Sequence, residues 1–300
     1  MFSSAIIAAA AVVVLAADAG SPSAGDAYRK QIEDWRQHRV ERLTAPTGWL
    51  SLVGLDWLKD GSNTLGSAPD NSIVLDKWPA HLGTITLENG KATIAIDPAA
   101  GDTLIDGAKK PAADLLDDTE PKATVVSSGT VMFYVVKRGD RWALRIKDSE
   151  AKTRKEFVGI DYFDIDPSWR IDAKWEAYDP PREVEEPNIL GEVDKVIVPG
   201  AAVFERDGKT FRLEPVIETP GDTELYLVFA DRTSGKETYG AARFVYSEPP
   251  KDGRIIIDFN KAYNPPCAFT PYATCGLPTQ QNRLDTRVTA GEKKYRGSHE

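Results

Sequence analysis

The feature that most constrains this chain is a period-two alternation of apolar and polar residues with turn signals between the runs. Over residues 46–150, Ile85 and Leu87 alternate with threonines, and Asn89-Gly90 then turns the chain into the apolar run 93–96. Asn-Gly suits the positive φ angles of a two-residue hairpin. Because successive side chains of a strand point to opposite faces, the pattern predicts a β-sandwich.

Strand-like runs resume after the charged stretch 147–155, which we take as the boundary between two halves. A single helix is predicted ahead of all the strands, from about Ala27 to Leu43 with Asp26 as its cap. In the second half, strands are predicted at residues 170–175, 203–206, 211–213, 225–229, 242–246 and 254–258. The predicted fold is therefore all-β, with a helical strap over 20–45, a β-sandwich over 46–150 and a second β-rich half over 151–300.

The first residues have the composition of an export signal. Ala5 to Leu15 is apolar and too short to span a bilayer, and Ala17-Asp18-Ala19 provides a small-residue cleavage site. We expect a signal peptide over 1–19 and a mature chain that begins near Gly20 and is periplasmic or secreted rather than transmembrane. An uncleaved anchor is the alternative.

Charge and motif content narrow the possible functions. A formal net charge of −9 argues against a nucleic-acid partner. No G-x-S-x-G, H-E-x-x-H or P-loop motif occurs, so no cofactor is predicted. The chain has only three histidines, and a triad or zinc site would have to draw on His81 or His38, because His299 lies in the C-terminal tail.

The stretch from Asp258 to Leu284 is the candidate site. It is rich in proline, asparagine and tyrosine, and a long irregular segment of this kind forms either a site or a structural clamp. It also holds the two cysteines, Cys267 and Cys275, which an oxidising compartment would pair in a disulfide.

Two interpretations of this stretch remain open. In the first, its side chains line a pocket with an arginine opposite, which binds a polar small molecule or supplies an acid and a base. The catalytic candidates are then Asp258 and Tyr263, and the binding candidates are Asn260, Asn264, Arg243, Arg170, Tyr272 and Asn282. In the second, the asparagines hydrogen-bond the loop backbone and Asp258 pairs with an arginine.

A weak metal candidate lies earlier in the chain. Asp161, Asp164 and Asp166 follow one another along one loop, and carboxylate oxygens bind Ca²⁺. The glycine and terminal glutamate of an EF-hand are missing, so turn capping by aspartates is the simpler interpretation and no metal is predicted.

Several motifs resemble one known family. They are Asp258-Phe259-Asn260, Ala262 to Cys267, Gly48 to Leu52, Gly159 to Phe163, Asp166 to Arg170, Thr233 to Gly235, Glu237 to Gly240 and Ala290 to Lys293. Together they resemble the DUF1684 family, bacterial and archaeal proteins of unknown function, over nearly all of the chain after about Trp35. One departure is Gly276, where the resemblance implies proline.

Residues 60–66 and 70–75 also resemble the opening of a forkhead-associated (FHA) domain. That family binds phosphothreonine through an arginine after the glycine and a serine before a later histidine. Here Ser67 stands at the arginine position and no serine directly precedes His81. The resemblance implies an FHA-like fold for the sandwich, and we expect no phosphopeptide partner because the charged donor is missing.

These observations favour an exported protein that binds a polar small molecule at its C-terminal loop, with acid–base hydrolysis as an extension of that role. The alternative is a non-enzymatic cell-envelope module that binds a protein or glycan. The sequence leaves open whether the protein is an enzyme.

Overall fold

The structure is a computed structural model that describes residues 23–219 and 221–297. The predicted signal peptide and His299 lie outside the described residues. None of the described helices is long and apolar enough to cross a membrane.

The described chain contains two α-helices, five short 3-10 helices and sixteen strands. The α-helices are α1 (Ala24–Thr44) and α2 (Lys152–Lys155). The strands before α2 are β1 (Leu52–Trp57), β2 (Gly61–Gly66), β3 (Ile73–Val74), β4 (Gly83–Glu88), β5 (Lys91–Ile96), β6 (Leu104–Ile105), β7 (Ala112–Leu115), β8 (Val126–Ser128), β9 (Val131–Arg138) and β10 (Arg141–Asp148). Those after it are β11 (Arg170–Pro187), β12 (Val193–Arg206), β13 (Lys209–Leu213), β14 (Leu225–Phe229), β15 (Arg243–Ser247) and β16 (Arg254–Asp258).

The first ten strands form two five-stranded sheets, in the orders β1-β10-β9-β8-β6 and β3-β2-β4-β5-β7. Their inner faces enclose one apolar core that includes Leu65, Ile85, Ile94, Phe133 and Leu144. The predicted hairpin joins β4 to β5, with φ angles of 52° at Asn89 and 74° at Gly90. The predicted sandwich is therefore confirmed.

The remaining strands form a four-stranded sheet, β13-β12-β11-β16, and a two-stranded sheet, β14-β15. A second core lies between them and includes Phe211, Leu227, Phe229, Ile257 and Phe259. Every strand predicted for this half is present, and the mostly β fold with one long N-terminal helix is confirmed.

Strands β11 and β12 are much longer than predicted. The first of these strands was predicted to end at Trp175, ahead of Pro180 and Pro181, which cannot donate to a ladder. The pairing with β12 instead shifts register between Ala177 and Arg182, and this irregularity accommodates the prolines.

Helix α1 begins earlier than predicted. Its cap is Ser23, whose Oγ accepts a hydrogen bond from the Asp26 backbone N–H at 3.1 Å, so the prediction of Asp26 as the cap was wrong. The inner face of the helix carries Ile32, Arg39 and Leu43, which are all buried. The helix thus lies against the protein as a strap, with an arginine on its buried side.

Candidate functional site

The candidate site is an open cleft of about 1160 Å³. Helix α1 forms one side, and β15, β16 and the segment that connects them form the other. The lining residues from the helix and its end are Gln31, Trp35, Arg39, Arg42, Leu43 and Trp49. The opposite lining residues are Arg170, Glu224, Tyr246, Ser247, Glu248, Pro249, Pro250, Lys251, Asp252, Arg254, Ile255, Ile256, Asp258, Lys261 and Tyr263.

Arg39 enters the cleft from the buried face of α1 and is only 7% exposed. Its Nε donates to Glu292 Oε1 at 3.0 Å, and its Nη2 donates to the Asn264 carbonyl oxygen at 2.9 Å. The guanidinium also lies over the Tyr263 ring, 4.6 Å from its centroid. The cation is therefore held in one position by a carboxylate, a carbonyl and a ring face.

Glu292 is the fully buried partner of that arginine. Its second oxygen, Oε2, accepts the Asn264 backbone N–H at 2.7 Å. Burial raises the pKa of the Glu292 carboxyl, and Arg39 opposes that rise. Gly291 allows the close approach, because its φ is +78° and an added Cβ would lie 2.3 Å from the Ala262 carbonyl oxygen.

Asp258 lies at the edge of the cleft, where β16 ends, and is 7% exposed. Its carboxylate accepts hydrogen bonds from the Tyr28 hydroxyl at 2.9 Å and the Asn260 backbone N–H at 3.1 Å. Burial and the neighbouring carboxylate raise the pKa of Tyr28. No arginine forms an ion pair with Asp258 among residues 23–219 and 221–297, so the predicted Asp–Arg pairing was wrong.

Asn260 and Asn264 are fully buried behind the cleft rather than in it. The Asn260 Oδ1 accepts the Asp166 backbone N–H at 2.9 Å and its Nδ2 donates to the Asp166 carbonyl oxygen at 2.8 Å. The Asn264 Nδ2 donates to the Lys293 carbonyl oxygen at 2.8 Å. These two side chains therefore fix the backbone of the loop, as the structural interpretation expects.

The two candidate arginines, Arg170 and Arg243, lie in different parts of the structure. Arg170 is exposed and lines the cleft beside Asp258. Arg243 is 1% exposed, and its Nη2 donates to Asp231 Oδ1 at 3.2 Å and to the Val288 carbonyl oxygen at 2.9 Å. Arg243 therefore lies in the core of the second half, and its predicted position opposite Asp258 was wrong.

The last two predicted binding residues also lie outside the cleft. The Asn282 side chain accepts the Glu214 backbone N–H at 2.8 Å and donates to the Glu214 carbonyl oxygen at 3.0 Å. Tyr272 is 38% exposed on the surface of the loop. Neither residue lines the cleft.

Both cysteines are buried free thiols in the structure. They are neighbours, because the Cys267 backbone N–H donates to Cys275 Sγ at 3.2 Å. The hydrogen bond with Cys275 lowers the pKa of Cys267, while the same bond and burial raise the pKa of Cys275. The disulfide stays a prediction.

The three loop aspartates do not form a common metal site. Asp161 pairs with Arg296, Asp166 Oδ1 accepts the Ser168 backbone N–H at 2.8 Å, and Asp164 is exposed. No group of three or more metal-ligating side chains occurs in the described part of the chain.

The sequence alone did not identify Arg39, Glu292 or Tyr246 as site residues. For Arg39 a signal was present, since it falls on the apolar face of the predicted helix. For Glu292 the signal was its position in the Ala290–Lys293 motif. The two exposed histidines, His38 and His81, do not line the cleft, so its geometry offers acids, bases and aromatic rings but no imidazole.

These features define a class of β-rich proteins in which a helix, a C-terminal loop and a buried Arg–Glu pair frame an open cleft. The family profile described as "Protein of unknown function (DUF1684)" matches residues 155–293. The match confirms the resemblance to the DUF1684 family over residues 155–293. The matched range is shorter than the resemblance in the motifs implied, since Gly48 to Leu52 lies outside it. No curated protein matches the chain.

Solved structures resemble parts of the chain. An uncharacterized protein of Haloarcula marismortui is 31% identical, with 47% of this chain and 78% of that chain covered and a TM-score of 0.40. The FHA-2 domain of a Mycobacterium tuberculosis ABC transporter is 27% identical, with 29% and 77% covered and a TM-score of 0.23. A further FHA domain, studied for its phosphothreonine-dependent interactions, is 16% identical, with 31% and 92% covered and a TM-score of 0.22.

Proposed function

We propose that this protein binds a polar, acidic small molecule in the cleft between α1 and β15–β16. The supporting observation is the position of Arg39, held by Glu292 and Asn264 at the side of a cavity of about 1160 Å³. A guanidinium fixed before the ligand arrives loses little entropy on binding, which is the advantage of a preorganised site.

The charges of the cleft favour an acidic ligand. Six basic and four acidic side chains line it, although the whole chain carries a formal net charge of −9. The basic side chains are Arg39, Arg42, Arg170, Lys251, Arg254 and Lys261. A local excess of cations in an acidic protein concentrates anions at that surface.

The aromatic side chains of the cleft provide the apolar contacts. Trp35 and Tyr263 lie with their ring centroids 6.3 Å apart, and Tyr246 stacks on Tyr263 at 6.4 Å. Ring faces next to charged groups suit the apolar faces of a ligand whose edges are polar. Asp258 supplies a hydrogen-bond acceptor at the edge of the cleft. Ligand binding alone accounts for this geometry, and no reaction needs to be assumed.

We also propose that this binding takes place outside the cytoplasm, in the periplasm or the medium. Its support is the apolar segment Ala5 to Leu15 with small residues after it. Intact-mass measurement of the protein exported by its native host tests this point. A mature chain that begins near Gly20 is expected, and an exported chain that retains Met1 to Ala19 would contradict it.

The binding proposal is tested by a thermal-shift screen of polar metabolites, followed by calorimetric titration of each hit. Lys261→Gln and Arg170→Gln each remove a cation that lines the cleft, and each is expected to weaken binding at least about tenfold, as the loss of a charged hydrogen bond does. Lys195→Gln is the matched control, because Lys195 is an exposed lysine that pairs with Glu183, and neither residue lines the cleft. A ligand whose affinity neither cleft variant changes would refute the assignment.

A further inference from the structure

A second cluster of basic side chains lies on the outer face of the sandwich, on strand β10. Arg145 and Lys147 are two residues apart, so both point away from the core that contains Leu144 and Ile146. Arg145 is 6% exposed and Lys147 is half-buried. A pair of basic residues is thus covered at the place where the second half of the chain lies against this sheet.

Arg145 has no acidic partner in the described residues. Its buried Nε has no hydrogen-bond partner, and its guanidinium forms none of the ion pairs of residues 23–219 and 221–297. The other two arginines that are more than nine-tenths buried, Arg39 and Arg243, each pair with a buried carboxylate. Arg145 instead faces rings, with its guanidinium carbon 5.1 Å from the Trp49 centroid and 6.0 Å from that of Tyr134.

Lys147 shares the same two rings. Its Nζ lies 5.6 Å from the Trp49 centroid and 5.7 Å from the Tyr134 centroid, and it donates to the Thr47 carbonyl oxygen at 2.6 Å. Burial, with Arg145 as the second cause, lowers the pKa of Lys147 to about 8. Two cations therefore lie side by side, and no carboxylate in the described part of the chain pairs with either of them.

Cys275, on the loop that packs over the sheet, is a titratable group on which the charge of Arg145 acts. Arg145 lowers its pKa slightly, but the hydrogen bond with Cys267 and burial raise that pKa, so the thiol is neutral at neutral pH. Tyr134, on β9, presents its ring to both cations. Among residues 23–219 and 221–297, no carboxylate forms an ion pair with either cation.

A buried cation without a counter-charge is costly, and a second cation beside it adds to the cost. We propose that Arg145 and Lys147, between the rings of Trp49 and Tyr134, form a second binding site that takes a small oxyanion group, either a carboxylate or a tetrahedral sulfate- or phosphate-type group. Arginine binds planar or tetrahedral oxyanions through paired N–H groups, and lysine adds a point charge. The site is distinct from the cleft, because Trp49 is the only one of these four residues that also lines it.

Sulfate and acetate are the probes, titrated at pH 7 with sodium chloride at matched ionic strength as the screening control. Either probe is expected to raise the melting temperature of the wild-type chain beyond the chloride control. Lys147→Met is expected to weaken binding at least tenfold. Arg141→Met is the matched control, since Arg141 lies on the same strand over the Trp57 ring at 3.7 Å but is paired with Glu192.

Two further measurements distinguish an anion-binding site from a pair of basic residues that only stabilise the fold. Without added anion, Arg145→Met should be at least as stable as the wild-type chain, because it removes an uncompensated charge. Sulfate affinity should fall as the pH rises through about 8 in the wild-type chain and stay level in Lys147→Met. The proposal is refuted if neither probe acts beyond chloride, or if Lys147→Met binds sulfate as tightly as the wild-type chain.

Discussion

Glu186 provides the sharpest test of the electrostatics of this fold. It lies on β11 directly across from Asp194 on β12, and it is 9% exposed. Burial, followed by the charges of Asp194 and Glu218, raises its pKa from 4.5 to about 7. An added Cβ at Gly276 would lie 2.6 Å from its Oε2, so the loop that carries Cys275 presses against this carboxyl.

The raised pKa determines how stability depends on pH. Between pH 4.5 and about 7 the folded chain holds the Glu186 proton more tightly than the unfolded chain does. Stability therefore falls as the pH rises through this window and is level for this group above it. A shift of this size corresponds to roughly 3 kcal/mol as an upper bound, at 1.36 kcal/mol for each pKa unit.

Replacement of Glu186 by glutamine removes the titration and keeps the shape. Urea unfolding from pH 4.5 to 8 is expected to show the variant equal to the wild-type chain at the acid end and up to about 3 kcal/mol more stable above pH 7. Glu185→Gln is the control, because Glu185 is exposed on the opposite face of the strand. A difference that is constant across the pH range, or a less stable Gln variant at pH 8, would refute the reasoning.

Three further predictions concern the candidate site and the sandwich. Glu292→Gln leaves the buried Arg39 without its counter-charge and is expected to cost about 3–5 kcal/mol in urea unfolding, and a loss below 1 kcal/mol would contradict it. Asp258→Asn is expected to cost only about 1–3 kcal/mol, because hydrogen bonds from Tyr28 and Asn260 rather than an ion pair hold that carboxylate. Phosphothreonine peptides are expected not to bind in a fluorescence titration, since Ser67 occupies the arginine position, and micromolar binding that dephosphorylation abolishes would overturn this.

Most of the fold could be predicted from local patterns. Turns carry the clearest signal, because Asn89-Gly90 and Asp207-Gly208 supply the positive φ angles that two-residue hairpins require, and both turns form. The extents of β11 and β12 could not be predicted from a local pattern, because a proline normally ends a strand. In the folded chain, a register shift in the pairing of β11 with β12 accommodates the prolines.

The candidate site was predicted only in part, for a physical reason. The cleft brings together residues that are far apart in the sequence, such as Trp35 and Tyr263, and alternation along a strand carries no information about such distances. Asp258, Tyr263 and Arg170, which were expected to share one pocket, all line the cleft. Arg243 was predicted to line the same pocket, but it pairs with the buried Asp231. No local sequence pattern distinguishes Asp231 from a surface aspartate, so this pairing could not be predicted.

The two interpretations of the C-terminal loop are parts of one arrangement. Asn264 is buried and fixes the loop, yet its carbonyl oxygen is also the atom that holds Arg39 Nη2 at 2.9 Å. Glu292 binds the other side of the same guanidinium and the Asn264 N–H, so the clamp and the cation of the cleft share their hydrogen bonds. These hydrogen bonds are buried, and both partners of Arg39 are bound to the loop through Asn264. A change in the loop backbone is therefore expected to move the arginine as well. The rigidity of the proline- and asparagine-rich loop is therefore what makes a preorganised cleft possible on its exposed side.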